Sequence, residues 1–145
     1  MKRLVLAMIV LSGCSTANLT GGDRSPAALQ GVTWQATEIA GSPITPKNRP
    51  SLTFKGGDFS GQGFCNHYFG KDAFLVPGRI DLRRLGHTLM ACLDGELMAL
   101  EGVYFTALQK VTTYRLESDG SLSLLGPDGT SIRFRKAATP SPQRL

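Results

Sequence analysis

The sequence has little of what membrane-spanning, nucleic-acid-binding, nucleotide-binding and metal-dependent proteins need. Its apolar N-terminal run, Leu4 to Leu11, falls far short of the roughly 20 residues required to span a bilayer, so this segment is no transmembrane helix. No Arg/Lys block is interleaved with aromatics, so a nucleic-acid partner is not expected. Gly56-Gly57 and Gly61-Gln62-Gly63 are followed by no Lys-Ser/Thr pair, which excludes a phosphate loop; bulges and tight turns in a curved sheet are the expected reason for these glycines. Cysteine occurs three times and histidine twice. Cys65-x-His67 and His87-x4-Cys92 lack structural-zinc spacing, so no metal is expected. Cys65 and His67 leave one strand two positions apart with no orienting third group, so no catalytic residue is assigned and no enzyme activity or cofactor is expected. No internal repeat is present.

What is there begins with Met1-Lys2-Arg3, a charged start to a short apolar run, which is export-signal chemistry. Leu11-Ser12-Gly13-Cys14 resembles the lipobox of bacterial lipoproteins. The resemblance implies cleavage before Cys14, a diacylglycerol thioether on that cysteine and an acylated amino group, and two or more acyl chains give stable anchoring. Ser15 stands where an inner-membrane retention signal would show Asp. In a Gram-negative cell that implies the outer membrane, with the domain facing the periplasm. Lys2 and Arg3 leave with residues 1–13, so the mature charge is smaller than the formal +5. The remainder suffices for one domain with one core.

With Cys14 assigned to lipid, Cys65 and Cys92 form an even pair in an oxidising compartment, where disulfides persist. Joining residues that far apart stabilises by roughly 3 kcal/mol. Free buried thiols are the alternative.

Residues 14–29 are small, polar and turn-rich beyond the cysteine, which suits a flexible tether, and residues 137–145, with Pro140 and Pro142, are expected to be a disordered tail. Between them the period is mostly two. Val32/Trp34, Leu52/Phe54, Ile80/Leu82, Tyr114/Leu116, Leu122/Leu124 and Ile132/Phe134 alternate with polar neighbours, as half-buried strands do. Asp119-Gly120 and Pro127-Asp128-Gly129 supply turn chemistry, which makes the C-terminal third a three-strand meander. From Asp94 to about Lys110 the period changes: Leu97, Leu100, Tyr104, Leu108 and Val111 form one helical stripe, capped by Asp94. The fold class is therefore mainly β (α+β), an antiparallel, strongly curved sheet or small β-barrel with one packed α-helix.

In order along residues 30–136 stand Trp34, Leu52-Thr53-Phe54, Gly63-Phe64-Cys65-Asn66, Met90-Ala91-Cys92, a helix carrying Glu101, Phe105 and Leu108, and Val111-Thr112-Thr113-Tyr114. This arrangement resembles the META domain, the HslJ-like family. Phe64 departs from its pattern, which has a second small residue before the cysteine. The resemblance implies a compact antiparallel β fold with a single helix and an envelope or stress-related role, and brings no catalytic activity.

Glu101 lies about 40° from Leu97 within the apolar stripe. A buried carboxylate must be hydrogen-bonded or paired. The expectation is a structural carboxylate that accepts backbone N–H groups or an Arg, and the alternative is a ligand group inside a barrel. Asn66 reads as a turn residue suited to the left-handed conformation. Asn66 and Glu101 are the candidate binding residues. Arg79, Arg83, Arg84, Arg133, Arg135 and Lys136 face outward by the alternation, as solvated positions or as contacts for anionic headgroups. The reading that follows is a monomeric, non-enzymatic envelope module. Its partners are the membrane, through the anchor on Cys14, and an envelope protein or cell-wall component. The alternatives are a carrier of a small lipophilic ligand and an inhibitor of an envelope-attacking hydrolase, which would use residues 56–72 as a protruding loop.

Overall fold

The structure is a computed structural model that describes residues 25–138. The signal-like segment, Cys14 and the tail from residue 139 lie outside the described residues.

A 3-10 turn over Pro26–Leu29 leads into β1 (Thr33–Ile39), which is followed by the short β2 (Ser42–Pro43), β3 (Ser51–Lys55), β4 (Asp58–Gln62) and β5 (His67–Gly70). Then come β6 (Phe74–Val76), β7 (Arg79–Ile80) and β8 (Leu85–His87), a helix α1 (Gly95–Lys110), and the meander β9 (Thr113–Leu116), β10 (Leu122–Leu125) and β11 (Ser131–Lys136). The strands form one curled antiparallel sheet in the order β6-β7-β9-β10-β11-β1-β3-β4-β5-β8, with β2 beside β1. Its two end strands do not pair with each other, so the sheet is a half-barrel rather than a closed barrel.

Period-two patterning places Trp34, Leu52, Phe54, Tyr68, Tyr114, Leu122, Leu124, Ile132 and Phe134 in one buried cluster, which Tyr104 and Leu108 of α1 complete. The meander is as expected. Asp119 Oδ1 accepts from the Ser121 N–H at 2.9 Å and hydroxyl at 2.6 Å, and Gly120 takes the positive φ of 78° that the tight turn needs. Asp94 caps α1, accepting from Glu96 N–H at 2.9 Å.

Five expectations need correction. The domain starts before residue 30: Leu29 is fully buried, and its carbonyl accepts from Trp34 Nε1 at 3.3 Å, so Pro26–Leu29 is no tether. At the other end, Ala137 N–H still donates to Thr33 O at 2.8 Å. On α1, Leu100 is exposed and Leu97 half-buried, while Glu101, Tyr104, Phe105, Ala107 and Leu108 face inward. Leu97 and Leu100 border a recess of 290 Å³ with Phe64, Ile39, Ile44 and Val103 rather than the core. Ser123, on the outward parity, is buried; Arg115 and Arg133 flank it on the neighbouring strands, and its side chain bonds to the Glu117 carboxylate. Residues 56–72 are no protruding loop; most of them form β4 and β5.

Candidate functional site

The end of the half-barrel near β5 and β8 is organised by two polar side chains. Glu101, on the inward face of α1, is 5% exposed. Its Oε2 accepts from the backbone N–H groups of Cys65 and Asn66, both at 2.7 Å, and its Oε1 accepts from Asn66 Nδ2 at 2.6 Å. Burial pushes the carboxyl up, but these three donors and the nearby His87 outweigh it, so its pKa falls below the ordinary 4.5. The carboxylate is thus held ionised by the loop that it ties down.

Asn66 turns the same contacts toward the segment before α1. Its Oδ1 accepts from Met90 N–H at 2.7 Å and Thr88 Oγ1 at 2.8 Å, while Nδ2 also donates to Met90 O at 3.2 Å. Asn66 lies in the turn between β4 and β5, as read, and its carbonyl accepts from Gly63 N–H at 2.7 Å, but its backbone is not left-handed; among the described residues the positive φ values outside glycine belong to Ala40 and Asp72. Cys65 and Cys92 form a disulfide beside this network, with Cα atoms 5.8 Å apart.

Close approach explains the glycines here. A Cβ at Gly63 would stand 2.6 Å from Glu101 Oε2, and one at Gly61 would overlap the Ser51 carbonyl oxygen and the Tyr68 ring. Bulges do occur in the sheet, but in β1 between Ala36 and Glu38 and in β6, not at these glycines.

A family model of the META domain matches residues 27–139. The chain belongs to the META domain family. Two solved structures share its fold. One is an NMR structure of a protein 24% identical, with a TM-score of 0.61, covering 77% of this chain and 93% of that one. The other, a protein from Burkholderia xenovorans, is 22% identical with a TM-score of 0.62, covering 90% and 100%. Comparison with curated proteins finds no match.

In this META domain the Asn66–Glu101 pair forms the inner wall of a groove of 590 Å³ between β8 and α1. Leu85, His87, Leu89, Met90, Met98 and Phe105 give it an apolar lining, and the His87 ring lies on Phe105 with centroids 4.9 Å apart. Leu89 is 88% exposed, Leu93 fully exposed, and Met90 and Met98 about half exposed. Behind the groove, Tyr68 donates to Ser51 O at 2.6 Å and accepts from Tyr104 at 2.8 Å. Burial pushes both phenols well above their ordinary pKa.

The structure therefore brings together Cys65, Cys92, Asn66 and Glu101. His67 is exposed on β5 and bonds through its backbone to Thr88 Oγ1 at 3.1 Å. Arg79, Arg83, Arg84, Arg133, Arg135 and Lys136 are all exposed, as the alternation implied. Sequence reasoning missed Thr88, Met90 and Gly63 as members of the network. Their partners are 21 to 38 residues away in the chain, and no local pattern reports such contacts.

Proposed function

We propose that this META domain is the folded part of a lipoprotein, anchored through Cys14 to the outer membrane and facing the periplasm. It acts as a monomeric, non-enzymatic binding module in envelope integrity or stress tolerance. The observation that carries this reading is an apolar shelf, Leu89, Met90 and Met98 with the fully exposed Leu93 just after Cys92, beside a groove whose inner-wall groups Asn66 and Glu101 are engaged by each other and by the protein's own backbone. Exposed apolar residues gathered in one place mark contact surfaces. The filled core argues against a carrier with an internal ligand, because Trp34, Phe54, Tyr68, Tyr104, Tyr114 and Phe134 occupy the hollow of the sheet. The Cys65–Cys92 disulfide suits an oxidising compartment, and the lipobox-like Leu11-Ser12-Gly13-Cys14 supplies the anchor.

Two measurements on the full chain in a Gram-negative host test this reading. Labelling with a fatty-acid analogue should mark the wild-type chain, which should fractionate with outer membranes. Cys14→Ala should lose both label and membrane association; an unlabelled, soluble wild-type chain would refute the anchor. A photo-crosslinker at Leu93 should give a discrete adduct in the envelope that a crosslinker at Lys55, exposed at the β3–β4 turn, does not give. Identical patterns from both would refute the module.

A further inference from the structure

We propose that the free edge of β8 accepts an extended segment of a partner polypeptide. The segment adds to the sheet as one more strand and sets alternate apolar side chains into the groove between β8 and α1. The inference rests on the binding-module reading and names the kind of partner it takes.

The ladder at this edge is incomplete. Among the described residues β8 ends the sheet and pairs only with β5, in the register Tyr68↔His87, Phe69↔Gly86 and Gly70↔Leu85. Thr88 N–H donates to His67 O at 3.0 Å, which makes 67/88 a hydrogen-bonded pair and, two residues on, 69/86 another. Leu85 and His87 fall in the intervening class, so their backbone N–H and C=O groups point away from β5, off the edge of the sheet. An incoming strand would continue this ladder with the spacing and polarity the sheet already has.

The groove lies where such a strand would put its side chains. Leu85 and His87 both line it, so that face of β8 opens onto it. Alternate residues of an added strand share that face and would meet Leu89, Met90, Met98 and Phe105. Methionine's flexible thioether adapts to varied apolar partners.

Charge gives the occupant a direction. Arg84, exposed, immediately precedes β8, whereas its neighbour Arg83 is engaged by Asp81 at 2.7 Å. At the other end Glu101 is 5% exposed and its carboxylate already accepts three hydrogen bonds, so it offers the segment no free charge. The fitting segment is therefore acidic toward Arg84 and apolar at alternate positions. The opposite edge of the sheet offers no equivalent: β6 carries a bulge, Pro77 follows it, and the recess there is lined by Arg79, Thr113 and Arg115.

The test uses the full mature chain in lipid nanodiscs and a phage-displayed library of random peptides. The enriched peptides are made synthetically and titrated against three forms. His87→Ala removes the ring and keeps the edge N–H; His87→Pro removes both, and an edge strand tolerates proline where the N–H faces outward. Peptides with alternating apolar residues should bind the wild-type chain, weaken modestly with H87A and weaken by about tenfold more with H87P. Equal loss in the two variants overturns strand addition. So does failure to enrich any peptide, or enrichment of peptides whose binding no edge change affects. Should H87P fail to fold, amide exchange on the wild-type chain decides: the N–H groups of Leu85 and His87 should become protected when peptide binds, and unchanged exchange overturns the inference. Binding that survives every edge change leaves a binding module with its surface elsewhere, whereas failure of the module itself appears in the Leu93 cross-linking.

Discussion

Asn66 Nδ2 meets Glu101 Oε1 at 2.6 Å while the backbone N–H of the same asparagine donates to Oε2 at 2.7 Å. One carboxylate thus holds both the side chain and the main chain of one residue, and the Cys65 N–H with them. Glu101→Ala strands three donors, each costing about 1–3 kcal/mol when buried and unpaired. The expected loss is about 3–5 kcal/mol, since the partners relax somewhat. Asn66→Ala should cost a similar amount, and the double variant should cost less than the sum by about 1–3 kcal/mol. Urea unfolding of the four forms measures this; simple additivity would mean that the two side chains act independently.

The same carboxylate sets a pH dependence. Its folded pKa lies below 4.5, so the unfolded chain takes up the proton first as the pH falls. Its contribution is fully present above 4.5 and is lost as the pH drops through the folded value. Thermal unfolding followed from pH 7 downward should therefore show a steeper acid loss in the wild-type chain than in Glu101→Gln. Parallel curves would remove Glu101 as a source of acid sensitivity.

The disulfide makes a third prediction. Cys65 and Cys92 are 27 residues apart, and chain entropy assigns such a link about 3–4 kcal/mol. Cys65→Ala/Cys92→Ala should remain folded, because the Asn66 bonds to residues 88 and 90 persist, but should lose about that much in denaturant unfolding. Thiol labelling of the denatured, unreduced wild-type chain should find neither cysteine; stoichiometric labelling of both would refute the link.

Two glycines predict opposite signs. Gly61→Ala would push a methyl into Ser51 O and the Tyr68 ring, and overpacking of this kind costs about 1–3 kcal/mol. Gly102, within α1, has open space at its Cβ position. Gly102→Ala should raise stability by about 0.5–1 kcal/mol through helix propensity alone. Melting temperatures of both variants check the pair, and a stabilised Gly61→Ala would contradict the packing around Tyr68.

Much of the fold was legible because strand patterning is local. Trp34, Leu52, Phe54, Tyr114, Leu122 and Ile132 alternate over a few residues and are buried as that alternation requires. The helix and its Asp94 cap were legible for the same reason. The inward face of the helix was less so. Leu97 and Leu100 carry the same apolar signal as Tyr104 and Leu108, but how far the sheet extends beneath the first turn decides which of them is covered. Glu101 stood out as a carboxylate in an apolar stripe, and that anomaly located the site. Cys65 and Asn66 stood out singly but not as its partners, because the 65–66 loop reaches Glu101, and the 88–90 segment reaches Asn66, only after the sheet has curled. Leu29 escaped notice for a related reason: its burial depends on Trp34 Nε1 reaching back to its carbonyl, a contact that a turn-rich composition does not announce.

The side chain of Asn66 behaves toward Met90 as a peptide group in a neighbouring strand would, accepting from its N–H and donating to its carbonyl. With the disulfide at Cys92, that imitation of a strand immobilises a segment which buries almost nothing of its own. In a loop that becomes ordered only when a partner arrives, each immobilised side chain weakens binding by about 0.5–1.5 kcal/mol. Here the backbone on either side of Leu89 is fixed in advance by folding. The domain presents a greasy surface in a set shape, and a partner arriving there would have less disorder to remove.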